Sequence, residues 1–512
     1  MRFVGFTLLA LAASALALPA QEPTHKELLL AVERQLQSLN ETAGPGVACV
    51  VVSRSEQYPK AASAEDVPGK LGAFDSAAFL KANNTPANQR LAKSLDLSDP
   101  RSIPDHGFAC GVVIDDKGLL LTPYHVIDGA TKIFVHLPGR VGSYADIHAA
   151  DARADLAVLK LITPPAGLKA VPFADVRLPG RGTLKPTVTV GKLVVLMANV
   201  YTPSAPRLGG PTAALGSIAA VQPPLEPPKQ DITRRAVFDN YYYQGPLLAH
   251  DAKLNAGVSG AALLNLDGEL VGLTTTAPIL ATSDKTADFA FPMDAGIRRV
   301  IEVLRRGEEV EYGFLGVRPD DSRGVVYVGS VIPLGPAARA DVQSNDVITH
   351  VNGAAVRNNA DLLVHVGSAL AGTKVTLTIR RPNVTGDVTF TLGKLQHDRP
   401  LIASARPDAV FGLRVDHDSV LAQRVGDNIQ AIIQKGIPEG VSVREVAADS
   451  PAATAFKKLG DDPRRWLVTH VNGTAVSTPA EFYAAAKGQK AVKLTVIDPT
   501  EAKRPPREVS FP

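Results

Sequence analysis

The chain has 512 residues, too many for one ordinary domain, so two to four are expected. Hydrophobic residues make up 45% and charged ones 21%, which excludes a disordered chain. A net charge of +3 with no dense basic stripe argues against nucleic acid as a partner.

MRFVGFTLLALAASALALPA (1–20) opens with one Arg, continues apolar and ends in small residues suited to cleavage near Ala17 or Ala20. It reads as a secretory signal, too short for a comfortable membrane span, with an uncleaved anchor as the alternative. No cysteine sits at the cleavage site, so a lipoprotein is not expected, and no other stretch reaches ~18 uninterrupted apolar residues. The mature chain is therefore expected to be exported, periplasmic or secreted, without a stable membrane span. Within 21–43, Leu28, Leu29, Val32, Leu36 and Leu39 fall at helical spacing, as in an amphipathic helix that docks on the following domain or on another subunit. GVACVVVS (46–53) reads as a first strand. Residues 54–105 hold few strand signals and one helix-like piece, DSAAFLKANNTPANQRLAKSL, as a surface insertion of regulatory or oligomeric potential does.

Three turns then present chemistry. GVVIDDKGLLLTPYHVIDGA (111–130) is a hairpin pattern with His125 just past a strand, and Asp155 heads the alternating strand DLAVLKL. In LNAGVSGAALLNLDGELVGL (254–273), Ser259 lies in a Gly-x-Ser-Gly turn before two apolar runs joined by Asp267-Gly268. A hydroxyl is a poor nucleophile until an imidazole takes its proton, and the imidazole needs a carboxylate to fix its tautomer. The order His, Asp, Ser is that of chymotrypsin-type barrels. Cys49 and Cys110 fall on what should be neighbouring strands, so either a disulfide or two buried thiols is expected. No His or Cys pairs show ligand spacing, so a zinc or other metal site is not expected.

From residue 312 the chain repeats itself. THVNGAAV (349–356) returns as THVNGTAV (469–476), GPAARA (335–340) as SPAATA (450–455), and KVTLTI (374–379) as VKLTVI (492–497). Each copy offers strands, a Pro-Ala-Ala helix, a VNG turn, a longer helix and a closing strand.

HVIDGA, DLAVLKL and NAGVSGAAL resemble, in order and spacing, the blocks HVVDGA, DLAVLK and NPGNSGGAL of HtrA/Deg-type serine proteases. VGKLVVLMANVY (190–201), GPTAALGSIAAV (210–221) and ADFAFPMDAGIRRVIEVLRRG (287–307) extend the likeness, and the duplicated part resembles two tandem PDZ domains. The resemblance implies a mainly β fold with α+β modules: a chymotrypsin-like double barrel over 44–307, then PDZ domains over 312–397 and 405–512. It implies a serine endopeptidase that degrades misfolded exported proteins, with His125 as base, Asp155 as its orienting carboxylate and Ser259 as nucleophile. The oxyanion hole would use the backbone N–H groups of Gly257 and Ser259. A homo-trimer or larger assembly, no cofactor, and cleavage after small aliphatic residues are implied as well. YGFLGV (312–317) matches the PDZ carboxylate loop, which assigns Phe314, Leu315 and Gly316 to a groove for C-terminal peptides. The matching FGLRV (411–415) of the second copy is followed by an insertion, HDSVLAQRVGDNIQAIIQKG, which leaves a structural or assembly role open there. TTTAPILATSDKTAD (274–288) corresponds to a pocket-shaping loop. Two departures stand beside the nucleophile: Val258 where Asn is usual, and Ala261 where Gly is usual. They keep open a catalytically impaired chaperone, or a PDZ scaffold that recruits envelope proteins. Lys253 lies six residues before Ser259, where trypsin-like barrels place the pocket floor; buried there it would favour acidic side chains, and strand alternation turns it to solvent instead.

Overall fold

The computed structural model describes residues 24–56, 76–82, 84–99, 107–179, 185–199, 210–222, 245–254, 258–276, 288–333, 335–367, 369–382, 384–397, 401–425, 439–460, 462–499 and 505–511. The signal-like segment and most of the pocket-shaping loop lie outside them, as do Gly257 and the rest of the second-copy insertion after Val425.

Short apolar strands leave unpaired edges unless the sheet closes, and the N-terminal half of the chain closes two sheets. β1 (Val47–Ser53), β2 (Phe108–Val113), β3 (Leu119–Pro123), β4 (Lys132–Leu137), β5 (Val141–Asp151) and β6 (Leu156–Leu161) run in the order β5-β4-β1-β2-β3-β6 and close through β5–β6. Val50, Leu120, Val135 and Leu159 fill that barrel. β7 (Leu193–Ala198), β8 (Thr212–Gln222), β9 (Leu247–His250), β10 (Ala262–Leu264), β11 (Leu270–Thr275) and β12 (Asp288–Pro292) form the second, closed barrel. One apolar core runs between the two, from Cys110, Leu121 and Val158 to Leu196, Leu263 and Phe291.

β1 is buried along its whole length because part of the 54–105 insertion covers its outer face. That part forms two helices, Ser76–Ala82 and Pro86–Leu95, where the sequence pattern suggested one. Pro86 sits at the first helical position, and the Thr85 hydroxyl accepts the Asn88 N–H, so a new helix starts there. Leu95 and Leu97 pack on Cys49, Val51 and Phe134. Cys49 and Cys110 do face each other across β1–β2, but they remain two thiols, and the disulfide that export would permit is absent. Cys49 packs outward on Ala92 and Leu95, whereas Cys110 turns into the inter-barrel core with its Sγ 3.6 Å from the Asn199 carbonyl. Burial pushes the Cys110 thiol pKa up, so no thiolate forms there easily.

The N-terminal helix His25–Thr42 starts in a capping box of Thr24 and Glu27. Leu36 and Leu39 dock on the core, and the Gln35 amide donates to the Leu266 carbonyl at 2.6 Å. Leu28 and Leu29, read as part of the same docking stripe, are exposed, because the helix meets the barrel only through its C-terminal half. The helix Ala295–Arg305 begins where the Asp294 carboxylate accepts the Gly296 and Ile297 N–H groups, and it buries Ile297, Val300, Ile301 and Leu304. No helix among the described residues is long and apolar enough to cross a membrane.

The repeat becomes two sheets of one topology. β13 (Gly313–Phe314) pairs with β20 (Gly393–Lys394). β14 (Val317–Asp320), β15 (Tyr327–Val331), β16 (Val347–Val351), β18 (Lys374–Arg381) and β19 (Val384–Thr391) follow one another across the sheet, with the short β17 (Ala354–Ala355) on β16. β22 (Leu413–His417), β23 (Val441–Val446), β24 (Leu467–Val471), β26 (Val492–Ile497) and β27 (Arg507–Phe511) repeat that order, with β25 (Thr474–Ala475) on β24. The VNG turns match closely: Asn352 and Gly353 have φ of 50° and 79°, Asn472 and Gly473 50° and 83°. Both positions need the left-handed region, which explains Asn-Gly in each copy.

Between the copies, β21 (Ile402–Ala403) returns to the first barrel and pairs with Ala149 and Ala150 of β5. A buried charge cluster holds the junction. Lys394, 3% exposed, lies 2.7 Å from Glu309, 3.0 Å from Glu311 and 3.0 Å from Asp416, and Arg444 reaches Glu309 at 2.7 Å. Burial alone would raise the Glu311 carboxyl, but the His417 hydrogen bond and the Lys394 charge outweigh it and hold its pKa at about 2. Lys394→Met strands these carboxylates and should cost about 3–5 kcal/mol of stability, read from urea unfolding at pH 7. A carboxyl with a lowered folded pKa stabilises above its unfolded value of about 4.3 and loses that as pH falls towards 2. The acid-induced loss should therefore be shallower in Lys394→Met than in the parent.

Candidate active site

His125 belongs to a single helical turn, Tyr124–Ile127, that follows directly on β3. The Tyr124 N–H donates to the Asp155 carbonyl at 3.0 Å, and the Arg54 guanidinium donates to the Val126 and Asp128 carbonyls at 2.9 and 2.7 Å. Arg54 thus satisfies the C-terminal carbonyls of a turn too short to hold itself. Nothing in its sequence surroundings marks it. Asp155 ends the tight β5–β6 turn with φ +52°, a left-handed conformation that Asp tolerates. Its Oδ1 accepts the His125 backbone N–H at 2.8 Å, and its Oδ2 lies 2.7 Å from His125 Nδ1. With Nδ1–H donated to the buried carboxylate, the Nε2 lone pair is left for Ser259, whose Oγ is 3.0 Å away. The structure brings the three side chains together across the two barrels.

Ser259 is held by its own loop. Its carbonyl accepts the Cys110 N–H at 2.7 Å, which fastens the second barrel to the first. Gly260 has φ +81°, and a Cβ there would lie 2.1 Å from the Cys110 carbonyl oxygen, so only glycine passes. Ala261 is fully buried in the core, where its methyl is accommodated. The brace is Thr274, which sequence reasoning missed. Its hydroxyl donates to the Val258 carbonyl and accepts the Ala261 N–H at 2.9 Å. Thr274 lies on β11, and only the folded barrel brings it to the loop. Val258 packs against the core.

The family model of the trypsin-like peptidase domain matches residues 109–273, and that of the PDZ domain matches 313–392. The periplasmic serine endoprotease DegP of Escherichia coli is 28% identical over 386 residues, covering 73% of this chain and 70% of DegP. The periplasmic pH-dependent serine endoprotease DegQ of the same organism is 26% identical over 412 residues, 78% of this chain and 79% of DegQ. Over about three quarters of its length the chain is thus similar to periplasmic serine endoproteases of the Deg type. A solved HtrA-type protease, AlgW with a decapeptide, is 21% identical, covers 71% of this chain and 99% of its own, and superposes with a TM-score of 0.46.

The remaining expected residues of the protease divide as follows. Lys253 is turned outward, its side chain 60% exposed and its Nζ 3.4 Å from the Asp288 carboxylate. Phe314, Leu315 and Gly316 lead into β14, the outer strand of its sheet, whose second edge meets no other strand among the described residues. The Leu315 carbonyl accepts the Ala337 N–H, and Gly316 turns with φ +86°. β22 is the matching outer strand of the second copy, but there the Val415 N–H already donates to the Tyr483 hydroxyl at 3.3 Å. Glu309, Lys394, His397, Asp416, Arg424 and Arg444 line a polar cavity at the junction of the two copies.

Thr274→Val keeps the shape of the brace and removes its hydroxyl. The variant is expected to lose about 1–3 kcal/mol of stability and at least about tenfold in kcat, with KM little changed. Thermal unfolding and steady-state proteolysis of the same preparation check both.

Proposed function

We propose that His125, Asp155 and Ser259 are the catalytic residues of the endopeptidase. As His125 Nε2 takes its proton, Ser259 Oγ attacks the scissile carbonyl carbon, and the N–H groups of Gly257 and Ser259 receive the developing oxyanion. The protonated imidazole, stabilised by Asp155, then gives its proton to the leaving amine as the C–N bond breaks. Water attacks the acyl-enzyme by the same route in reverse and frees Ser259. The observation that carries this reading is the relay of 3.0 and 2.7 Å from Ser259 through His125 to Asp155. Substrates are unfolded or misfolded polypeptides of the periplasm or of an equivalent exported space, and the active form is a homo-trimer or larger assembly. Residues 44–307 form the catalytic unit, 312–397 a PDZ domain that captures C-terminal peptides through Phe314, Leu315 and Gly316, and 405–512 a second PDZ domain. Tyr483 favours an assembly role for that second domain, because it occupies an N–H that a peptide strand would need. A chaperone without proteolysis is less favoured, since Thr274 supplies the loop support that Val258 cannot.

Purified 21–512 is expected to degrade a reduced, unfolded protein, with no cleavage above background from Ser259→Ala or His125→Ala. Asp155→Asn should retain the fold and lose about 10⁴ in kcat. If all four preparations leave the substrate intact and suppress its aggregation equally, the chaperone reading replaces this one. In the Ser259→Ala chain, a peptide with an apolar free C-terminus should bind, and its amidated form should lose most of that binding; equal anisotropy titrations would remove the groove assignment.

A further inference from the structure

The turn that carries Asp155 is only four residues long, from Ala152 to Asp155, between the paired ends Asp151 and Leu156. Asp151 is itself a carboxylate, buried and aimed into the turn, and the catalytic scheme gives it no task. Its Oδ2 accepts the Ala154 N–H at 2.8 Å, the amide directly before Asp155. The same oxygen accepts the hydroxyl of Tyr312, 161 positions further along the chain. Tyr312 is 2% exposed and straddles two domains. Its ring lies in the inter-barrel core, with the Arg153 guanidinium 4.0 Å from the ring centroid. Its backbone belongs to the first PDZ copy, bridged to Leu370, and its carbonyl accepts the Leu395 N–H at 2.8 Å. Arg153 from the turn and His397 from the end of that copy are the other charged or titratable groups facing Asp151.

We propose that Tyr312 and Asp151 are positioning residues of the protease: the hydroxyl orients the Asp151 carboxylate, which locks the turn from which Asp155 holds His125. The proposal rests on the catalytic roles assigned above. Without the hydroxyl, Asp151 keeps the Ala154 N–H but loses the partner that aims it. The strained Asp155 backbone, at φ +52°, is then freer to relax, and the carboxylate slackens its hold on the imidazole. A slackened Asp155 orients and stabilises the imidazolium less, so Ser259 should be activated more weakly and the pH profile of its reaction should change.

The test labels Ser259 in the full chain with a fluorophosphonate across pH 5–9, beside cleavage of fluorescein-labelled casein. In Tyr312→Phe, which keeps the ring under Arg153, the labelling rate is expected to fall about tenfold. Its pH midpoint should move away from the parent's, and the casein KM should stay within about twofold. Asp151→Ala should fall at least as far, and Asp151→Asn, whose amide oxygen can accept both donors, should recover most of the rate. Tyr312→Phe combined with Asp151→Ala should be no slower than Asp151→Ala alone, since both break one chain of contacts. Thermal unfolding accompanies every variant. A parent-like rate and pH midpoint in Tyr312→Phe, with Ser259→Ala unlabelled, overturns the proposal and leaves the catalytic reading intact. So does a lower rate with an unmoved midpoint, because a purely structural tyrosine would give that. Labelling of Ser259→Ala at the parent rate removes the catalytic reading instead, and the positioning roles with it.

Discussion

A single carboxylate gripping one histidine at two points sets the dimensions of the working centre. Asp155 takes both the backbone N–H and the ring Nδ1 of His125, so the imidazole can neither slide along its short helix nor rotate out of line. The rest of the first barrel keeps that grip: the turn between β5 and β6, the Tyr124 N–H on the Asp155 carbonyl, and Arg54 beneath the helical turn. The second barrel need only deliver one oxygen to the free nitrogen. It does so through main-chain contacts, with the Ser259 carbonyl on the Cys110 N–H and Gly260 against the Cys110 carbonyl. Beyond the glycine required at 260, these main-chain contacts place no demand on the side chains at 258 and 261. The loop can therefore hold Val258 and Ala261 while Thr274 closes it from the neighbouring strand.

The two PDZ-like copies start from the same backbone and end in different states. Both have an outer strand, a VNG turn with nearly the same φ angles, and a core sealed by a helix on the sheet. In the first copy the second edge of the outer strand meets no other strand among the described residues. In the second, the Tyr483 hydroxyl meets the edge, and the helix Asp418–Val425 packs Ser419 and Gln423 against Lys394 of the first copy. An unpaired edge invites association, and a hydroxyl placed on it is an economical guard.

Much of this was legible in the sequence because it is local. His125, Asp155 and Ser259 each sit in a turn whose glycines, proline or alternating strand can be read within ten residues, and the repeat announces itself through Asn-Gly turns that accept few other residues. The start of the helix at Pro86 was equally local and was overlooked. The choice between a disulfide and two thiols stayed open in the sequence for a different reason: register was legible, but the direction each sulfur takes depends on Leu95, Leu97 and Asn199, which are distant in the chain. Thr274, Arg54, Tyr312, Tyr483 and Lys394 act through partners brought near only by closed barrels or packed modules. No spacing rule reaches them.

The chain leaves the barrels at Gly307 and comes back at Ser404, and the two points touch. The Ala405 N–H donates to the Gly307 carbonyl at 2.8 Å, and the Ser404 hydroxyl meets His148 of β5, whose other ring nitrogen faces the Arg305 carbonyl. The first PDZ copy is therefore not a pendant on a flexible leash but a closed excursion, pinned at its neck to the strand that ends in Asp151. A body closed at its neck, and held again by Tyr312 in the inter-barrel core, cannot drift away from the barrels. Torque on that neck acts on β5 before it reaches any other strand.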